Sequence, residues 1–486
     1  MNIDQIKAAF EVYRPGLAPE VQFLFDSMIA LNEQLEKRIQ TLENQLAKDS
    51  HNSSKPPSSD PPKAKRTKSL RTKSKNNPGG QPGHKGHKLE LSARVDDLIV
   101  HRLSTCPDCG ASLADQPLAE VIRKQIWDIP PINIHVVEHQ IEVKTCGCCG
   151  NTWQAGGLPE HIRHEVEYGE GIKALGVYLQ CHHHLPMERA CQVMSDLFGL
   201  PISQGSLANF THSAYERLSA FEQGLRGCIL RSKSAFFDET GLRLLKKNYW
   251  MHTASTLKHA LFQVHARRGG KAMEEIGLLA QYEGVAHHDA YSSYFAFKRC
   301  RHSLCNAHSL RDLTFVEEQY KQSWAGELKS LLCRIKSSAD ASDNGCVDIR
   351  WQGRFRKEYR QLLSQGLEAN PPPEKIPGKR GKMAKTFPRN LLERLQKREN
   401  DYLRFMYDPD AFFDNNQAER DLRMNKVKMK ISGCFRSFEA AQAFARIRSF
   451  LLTAQKQSVN VLEALKDVFS PQPVFYLNLV NIDYPE

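Results

Sequence analysis

The chain has 486 residues, a formal charge of +12 and 41% hydrophobic residues. That is too long for one core, so roughly two to four domains are expected, and the surplus of Lys and Arg points to a polyanion, with nucleic acid the default. No apolar run is long enough to span a bilayer and no secretory signal is read, so the 13 cysteines are expected to be thiols or metal ligands in a reducing cytoplasm, which excludes a membrane protein and a disulfide-stapled secreted one.

Residues 19 to 48 read as one long helix, and 1–48 as its segment. Phe25, Asn32, Ile39 and Leu46 fall at one seam position of a heptad, and Met28, Leu35 and Leu42 at the other. Glu33, Glu36, Lys37, Arg38 and Glu43 supply flanking charge. About three heptads with a single Asn in the seam predict a coiled coil, hence a homodimer or higher oligomer. An amphipathic helix packed on its own domain would give the same pattern. Residues 49–92 then turn to Pro, Ser, Gly, Asn and Lys with almost no apolar residue, the composition of a disordered basic linker. Its Lys63, Lys65, Arg66, Lys68, Arg71, Lys73 and Lys75 suit the phosphate backbone of double-stranded DNA, without reading its sequence.

In residues 93–160 two cysteine knuckles follow, Cys106-Pro-Asp-Cys109-Gly and Cys146-Gly-Cys148-Cys149-Gly. A Cys-x-x-Cys ahead of Gly makes a tight turn that aims two thiolates at one tetrahedral zinc, so Cys106, Cys109, Cys146 and Cys149 are expected to hold a structural Zn²⁺ in a zinc ribbon. Cys148 leaves the ligand choice open. Between the knuckles, Ile134 with Val136 and Ile141 with Val143 keep the period of strands, which predicts an extra hairpin. Residues 161–228 turn helical. Met187 to Phe198 and Ser206 to Leu218 flank a Gly-containing turn, the outline of a helix-turn-helix DNA-binding domain. His182, His183 and His184 cannot converge on one ion from adjacent helix positions, and are expected at the surface or facing phosphate.

The core is expected over 229–437. Strands are predicted at Ser234–Thr240, Tyr249–Ala254 and Ala260–His265, a helix at Lys271–Tyr282, and a further strand at Gly284–Asp289. Three strands, a helix and a fourth strand are the order of a ribonuclease-H-like α/β fold, in which acids ending the first and fourth strands are neighbours. Those acids are Asp238 and Asp289, and a third is expected on a later helix. The stretch Phe412–Ser437 supplies it: a helix entered through Asp414, Asn415 or Asn416, carrying Glu419, Arg423, Lys426 and Lys430 on one face. A carboxylate followed by three cations suits a divalent ion and the phosphates around it; an ordinary Glu–Arg pair on a solvated face is the plainer reading. Three carboxylates are what a two-metal phosphoryl-transfer site needs, with two Mg²⁺ or Mn²⁺ ions roughly 3.5–4 Å apart.

Several stretches together carry a family resemblance: the amino-terminal zipper, SSKPPSSD, GGQPGHKGH, the two knuckles, YG…H-x-LP-x-ER, DET at 238–240, DAYSSY at 289–294, CNAHSLRD at 305–312 and NNQAERDLR at 415–423. Over nearly its whole length the chain resembles the transposases of the IS66 insertion-sequence family. The resemblance implies a ribonuclease-H-like DDE core with Asp238, Asp289 and Glu419 as the metal-binding trio, cleavage and strand transfer at transposon ends, a bacterial cytoplasmic, nucleoid-associated setting, and small accessory proteins of the same element as partners. The gap from Asp289 to Glu419 requires an insertion. Residues 317–404 read as largely helical, with Lys379, Arg380 and Lys382 as DNA contacts in a Pro-rich break. Cys300, His302, Cys305 and His308 have loose metal-ligand spacing, though Cys305 and His308 also read as plain helix residues near the site. Within the C-terminal helical segment, 438–486, Phe438–Leu452 is read as an amphipathic helix flanked by Arg446 and Arg448, and Val459–Val468 as another. The rival functions are a non-catalytic DNA-binding regulator, which has no use for the three acids, and a structure-specific nuclease on the same fold.

Overall fold

The computed structural model describes residues 3–53, 55, 60, 89–130, 132–159, 162, 164–373, 383–473 and 480. The chain opens as a helical hairpin, α1 (Ile3–Tyr13) and α2 (Pro19–Leu46). Pro19 opens α2, where a missing N–H costs nothing. Phe10 is buried and stacks on Phe25 with ring centroids 5.0 Å apart, while the other apolar seam positions, Met28, Leu35, Ile39, Leu42 and Leu46, stay exposed. The hairpin's far end touches the helical part of the molecule. Asn44 donates to the Tyr320 hydroxyl at 3.1 Å, and the Lys48 ammonium lies over the rings of Phe315 and Phe387.

The expectation of disorder from residue 49 fails at its start. Ser50, Asn52 and Ser53 are buried in a folded turn, where the Asp49 carboxylate takes the amides of His51 and Asn52 and the Asn52 side-chain amide donates to the Ala47 carbonyl. Short polar side chains that satisfy nearby backbone order a segment without an apolar core. Lys63, Lys65, Arg66, Lys68, Arg71, Lys73 and Lys75 lie outside the described residues.

The zinc-ribbon segment has less regular structure than its sequence predicts. Among the described residues the extra hairpin between the knuckles is not formed; one antiparallel hairpin, β1 (Val143–Thr145) and β2 (Thr152–Gln154), straddles the second knuckle instead. The β-branched residues before it, Val121, Ile122, Ile126 and Val136, are exposed and have no sheet face to bury. Next come α3 (Glu170–Val177), a π-turn over Tyr178–His182, α4 (Met187–Phe198), α5 (Gln204–Arg217) and α6 (Ser219–Arg231). The helix-turn-helix outline of α4 and α5 holds: Gly199 ends α4 at φ 59°, and the Ser203 hydroxyl caps α5 by accepting from the Ser206 amide at 3.0 Å. His183 is exposed, as expected, but its two neighbours depart from expectation. His184 is buried against Phe444, and burial pushes it down to about 3 and half-buried His182 down to about 4, so neither offers charge to a phosphate.

The five-stranded sheet has the order β5-β4-β3-β6-β7, from β3 (Ser234–Leu244), β4 (Lys247–Ser255), β5 (Ala260–His265), β6 (Val285–His288) and β7 (Arg301–Leu304). The first three strands are antiparallel; β6 is parallel to β3 and β7 to β6. The helix expected over Lys271–Tyr282 is broken at Gly277, φ 74°, into α7 (Gly270–Ile276) and α8 (Leu278–Gln281). β7 was not expected, because its Cys and His neighbours read as ligand spacing. The helical insertion is present as α9 (Asn306–Tyr320), α10 (Ser323–Asp340), α11 (Ile349–Ala369), α12 (Phe387–Lys397) and α13 (Glu399–Tyr402). It has its own core around Leu328, Leu332, Ile335, Tyr359 and Leu395. Lys379, Arg380 and Lys382 lie outside the described residues.

The chain then returns through α14 (Asn416–Ser432) and ends in α15 (Phe438–Lys456) and α16 (Val461–Phe469). α15 lies on β5, where the hydroxyls of Ser449 and Thr453 accept the Phe262 and Ala260 amides at 2.8 and 3.1 Å. Arg448, expected at the flank of this helix, is buried instead.

Candidate active site

Two carboxylates reach one level of the sheet by strand register. Phe236 of β3 pairs with His287 of the parallel β6, and Asp238 and Asp289 each lie two residues further on. Parallel neighbours advance together, so both acids lie at the same level, Asp289 just past the end of β6 and Asp238 midway along the longer β3, which runs past the strand end expected at Thr240. The third acid comes from the first turn of α14, and the approach to that helix is stitched to the sheet. The Phe412 amide donates to His287 Nε2 at 2.8 Å, and the Asn306 amide to the Phe413 carbonyl at 3.0 Å. Asn415 donates its side-chain amide to the Phe237 carbonyl at 2.8 Å and its backbone amide to Cys305 Sγ at 3.2 Å. Asn415 therefore does not cap α14 with its side chain; it pegs the helix to the strand that carries Asp238.

The three acids share one electrostatic condition. Burial, then the charge of Glu239, pushes Asp238 up to about 8, with Asp289 and Glu419 adding to it against the Glu239 amide, which donates to its carboxylate. Burial and Glu239 raise Asp289, opposed by the Tyr291 amide and by Arg268 and Arg394. Burial and Asp414 raise Glu419, opposed by Arg311, Arg423 and Lys426. Desolvated carboxylates, one of them raised further by the charges of the other two, are a condition a bound divalent cation relieves, and an all-carboxylate set fits hard ions such as Mg²⁺ or Mn²⁺. The acids act on one another at longer range than direct contact. Among the described residues, the group of His, Cys, Asp or Glu whose ligand atoms all lie within 4.8 Å of one another is Cys305, His308 and Glu419.

Glu419 does not pair with Arg423. Its ion-pair partner comes from α9, Arg311 at 3.9 Å, beside His308 Nε2 at 3.7 Å, an imidazole that burial pushes down to about 4 and so leaves uncharged. Arg423, Lys426 and Lys430 are exposed, the first two within charge reach of Glu419. Sequence reasoning singled out none of Arg311, Arg394, Arg268 and Glu239. Arg394 of α12 pairs with Asp312 at 2.5 Å and faces Asp289, so the insertion contributes a cation to the site. Buried Glu239 takes the Tyr294 hydroxyl at 2.5 Å and Arg268 at 2.7 Å, while Arg268 lies over the rings of Trp250 and Tyr291. The i,i+3 spacing of His308 and Arg311 was the available sequence signal for one of them. Cys300 and His302 do not join Cys305 and His308. His302 bonds His288 at 2.9 Å and the Phe297 carbonyl at 2.9 Å, and Cys300 Sγ lies 3.7 Å from that same carbonyl.

The two knuckles are built alike. In the first, the Cys106 amide donates to the Ala111 carbonyl and Gly110, φ 74°, donates back to Cys106, with Thr105 bridging Ser112. In the second, the Cys146 amide donates to the Asn151 carbonyl and Gly150, φ 72°, donates back to Cys146, with Thr145 paired to Thr152. The amides of Cys109 and Asp108 hold the Cys106 thiol below its ordinary range, and those of Cys149 and Cys148 do the same for Cys146. Such turns favour thiolate, the form that binds zinc. Cys148 stands where Asp108 stands in the first knuckle. The structure sets each knuckle in this shape but does not gather the four thiols into one cluster within 4.8 Å.

Comparison with known families places these features. A model described as transposase IS66 family matches residues 165–443. A second, the zinc-finger binding domain of transposase IS66, matches residues 104–150, and a third, a family of unknown function, matches residues 12–90. No curated protein matches the chain. No helix among the described residues is long and apolar enough to cross a membrane. With the sheet, the pegged helix and the insertion all inside one match that spans more than half of the chain, and the knuckles inside another of the same family, the protein belongs to the IS66 family of transposases.

Proposed function

We propose that the protein is a DDE transposase, which binds the terminal inverted repeats of an insertion sequence and catalyses metal-dependent strand cleavage and strand transfer on a ribonuclease-H-like core. The observation that carries this reading is that Asp238 on β3, Asp289 just past β6 and Glu419 on α14 are all desolvated, with Asp238 raised further by the charges of the other two. Divalent Mg²⁺ or Mn²⁺ ions bound by the three acids would supply activation of the attacking oxygen and charge stabilisation at the leaving one. The residues around them have separate tasks. Asn415 fixes Glu419 against β3, and Arg268 with Tyr294 fixes Glu239 behind Asp238. Arg423, Lys426 and Lys430 run along the exposed side of α14, where they would hold DNA phosphates next to the acids.

Cys106, Cys109, Cys146 and Cys149 would hold one structural zinc, with Cys148 left out as the counterpart of Asp108. The exposed apolar stripe of α2 fits a second copy of the chain, as the joining of two DNA ends requires. The partners in this reading are transposon ends, target DNA and accessory proteins of the element, in the bacterial cytoplasm. The test is nicking of labelled DNA that carries the element's ends, with Mg²⁺ or Mn²⁺ against EDTA, beside Asp238→Asn. Metal-dependent nicking lost in the variant is the expected result; nicking retained by the variant rejects the trio. End binding without any nicking favours the regulator reading, to be separated from a missing accessory protein by adding the accessory proteins.

A further inference from the structure

Cys305 and His308 form a third Cys-x-x-ligand turn in the chain, at the start of α9. In both knuckles the leading Cys receives the backbone amide of the residue three positions on, Cys109 or Cys149. Cys305 repeats that arrangement: the His308 amide points at its Sγ, and the Asn415 amide adds a second donor at 3.2 Å. The turn differs in presenting an imidazole where the knuckles present a second thiol, and in lying buried at the start of a helix, where burial pushes the Cys305 thiol up to about 12 while the leading knuckle thiols are held down. That imidazole is not committed elsewhere. His308 Nδ1 is buried with no hydrogen-bond partner, and Nε2 faces Glu419 at 3.7 Å.

We propose that Cys305, His308 and Glu419 form a transition-metal site, selective for Zn²⁺ over Mg²⁺, which draws the third acid of the catalytic trio away from the other two. Bonds of about 2.0–2.3 Å to a tetrahedral ion put its donors roughly 3.3–3.7 Å apart, so donors already within 4.8 Å need side-chain shifts of only about an ångström. A thiolate, an imidazole and a carboxylate are the donors zinc prefers and magnesium does not. Binding displaces the Cys305 proton to solvent, and no electron is transferred. Three protein ligands leave the fourth position open on the side where His308 and Glu419 are about a quarter to a third exposed, and water fills it. Glu419 then has two competing uses, and zinc opposes the magnesium-dependent reaction without touching the knuckles.

The role of Glu419 rests on the transposase reading; the metal site itself does not. The experiment is zinc content per full-length chain by elemental analysis after gel filtration, for the parent, His308→Ala, Cys305→Ser and Asp238→Asn, with thermal melts of each. Cobalt loading of the parent and Cys305→Ser provides a difference spectrum for thiolate–metal charge transfer. The expected result is one equivalent of zinc fewer in His308→Ala and in Cys305→Ser, a cobalt–thiolate band lost with Cys305, and the parent content in Asp238→Asn. His308→Ala keeps the Cys305 turn, so its count stands even if Cys305→Ser melts early. Parent zinc content in His308→Ala overturns the proposal. Nicking retained in Asp238→Asn alongside the lost equivalent would instead reject the catalytic trio and leave the metal site standing.

Discussion

The carboxylate end of the sheet and the first 160 residues solve opposite problems. Around Asp238 the chain buries charge and spends hydrogen bonds to hold it there: Asn415 to Phe237, Phe412 to His287, Arg268 and Tyr294 to Glu239. In the amino-terminal part it leaves apolar surface in the open, from Met28, Leu35 and Leu42 on α2 to Val121, Ile126 and Val136 between the knuckles. Exposed apolar stripes mark surfaces that another body completes. One region buries its charge within the fold; the other leaves apolar surface that, in the proposed reading, metal, DNA or a second chain would complete. Ordered this way, the catalytic end should respond to changes in charge and the amino-terminal part to removal of partners.

The largest effect is expected at the catalytic end. Asp238→Asn and Glu419→Gln should each lower end cleavage by about 10³-fold or more, because one missing ligand disables the trio as a unit. Filter binding to the same ends should stay within about twofold of the parent, since neither residue is proposed to grip DNA. A binding loss that parallels the cleavage loss would erase the division between the two regions.

Next in size is the loss of zinc from the knuckles. Cys106→Ser with Cys146→Ser should bring affinity for the ends toward that for scrambled DNA, a loss of about 10²-fold or more. The melting temperature of the sheet domain should not move, because the knuckle segment is almost wholly exposed and shares no core with it. A shift of that transition would mean the knuckle segment is packed on the core after all. Smaller again is the zipper. Leu35→Lys puts a charge in the seam of each copy, which should weaken self-association by tenfold or more, on the order of 2 kcal/mol. Sedimentation reads this directly, and an unchanged oligomer would give the stripe to a different partner.

The same contrast governs how much was readable beforehand. The positions of Asp238, Asp289 and Glu419 were legible because each lies on or next to a strongly patterned element, although β3 runs on to Leu244 and leaves Asp238 in mid-strand where a strand end was expected. Asn415 was legible as a cap type but not as a peg, since its partner Phe237 lies far back in the chain. Arg394 could not be found at all: it reaches Asp289 only because α12 folds back over α9, a tertiary fact without local pattern. β7 was hidden by its own Cys and His neighbours, and the hairpin expected between the knuckles failed because alternating residues make a strand only where a sheet face receives them. His184 misled for a related reason, as a histidine triplet looks polar whether or not Phe444 covers it.

Charge at the catalytic end also predicts a pH effect on stability. Asp238 titrates near 8 when folded against an ordinary value of 3.8, so the folded state holds a proton that the unfolded chain releases between those limits. Unfolding free energy contributed by this group is therefore highest below about pH 4 and falls as pH rises through about 8. Without divalent metal, the parent should lose about 3 °C or more of melting temperature between pH 5 and pH 8 relative to Asp238→Asn. Added Mg²⁺ should restore it at pH 8. Equal slopes for the two proteins would mean the carboxylates are not strained by burial.

The smallest effect tests whether the exposed side of α14 belongs to the catalytic end or merely lies beside it. Arg423, Lys426 and Lys430 are exposed, and Glu419 takes its ion-pair partner, Arg311, from α9, which leaves these three cations available to phosphate. Each phosphate contact contributes about 0.9 to the slope of log affinity against log salt, so Lys426→Ala should lower that slope by about one unit. Between 50 and 200 mM salt this amounts to about a threefold difference. It should be equal for end-bearing and scrambled DNA, because a phosphate contact carries no sequence. If the change appeared only with the specific ends, α14 would be reading DNA shape or bases, and recognition would no longer be confined to the amino-terminal part.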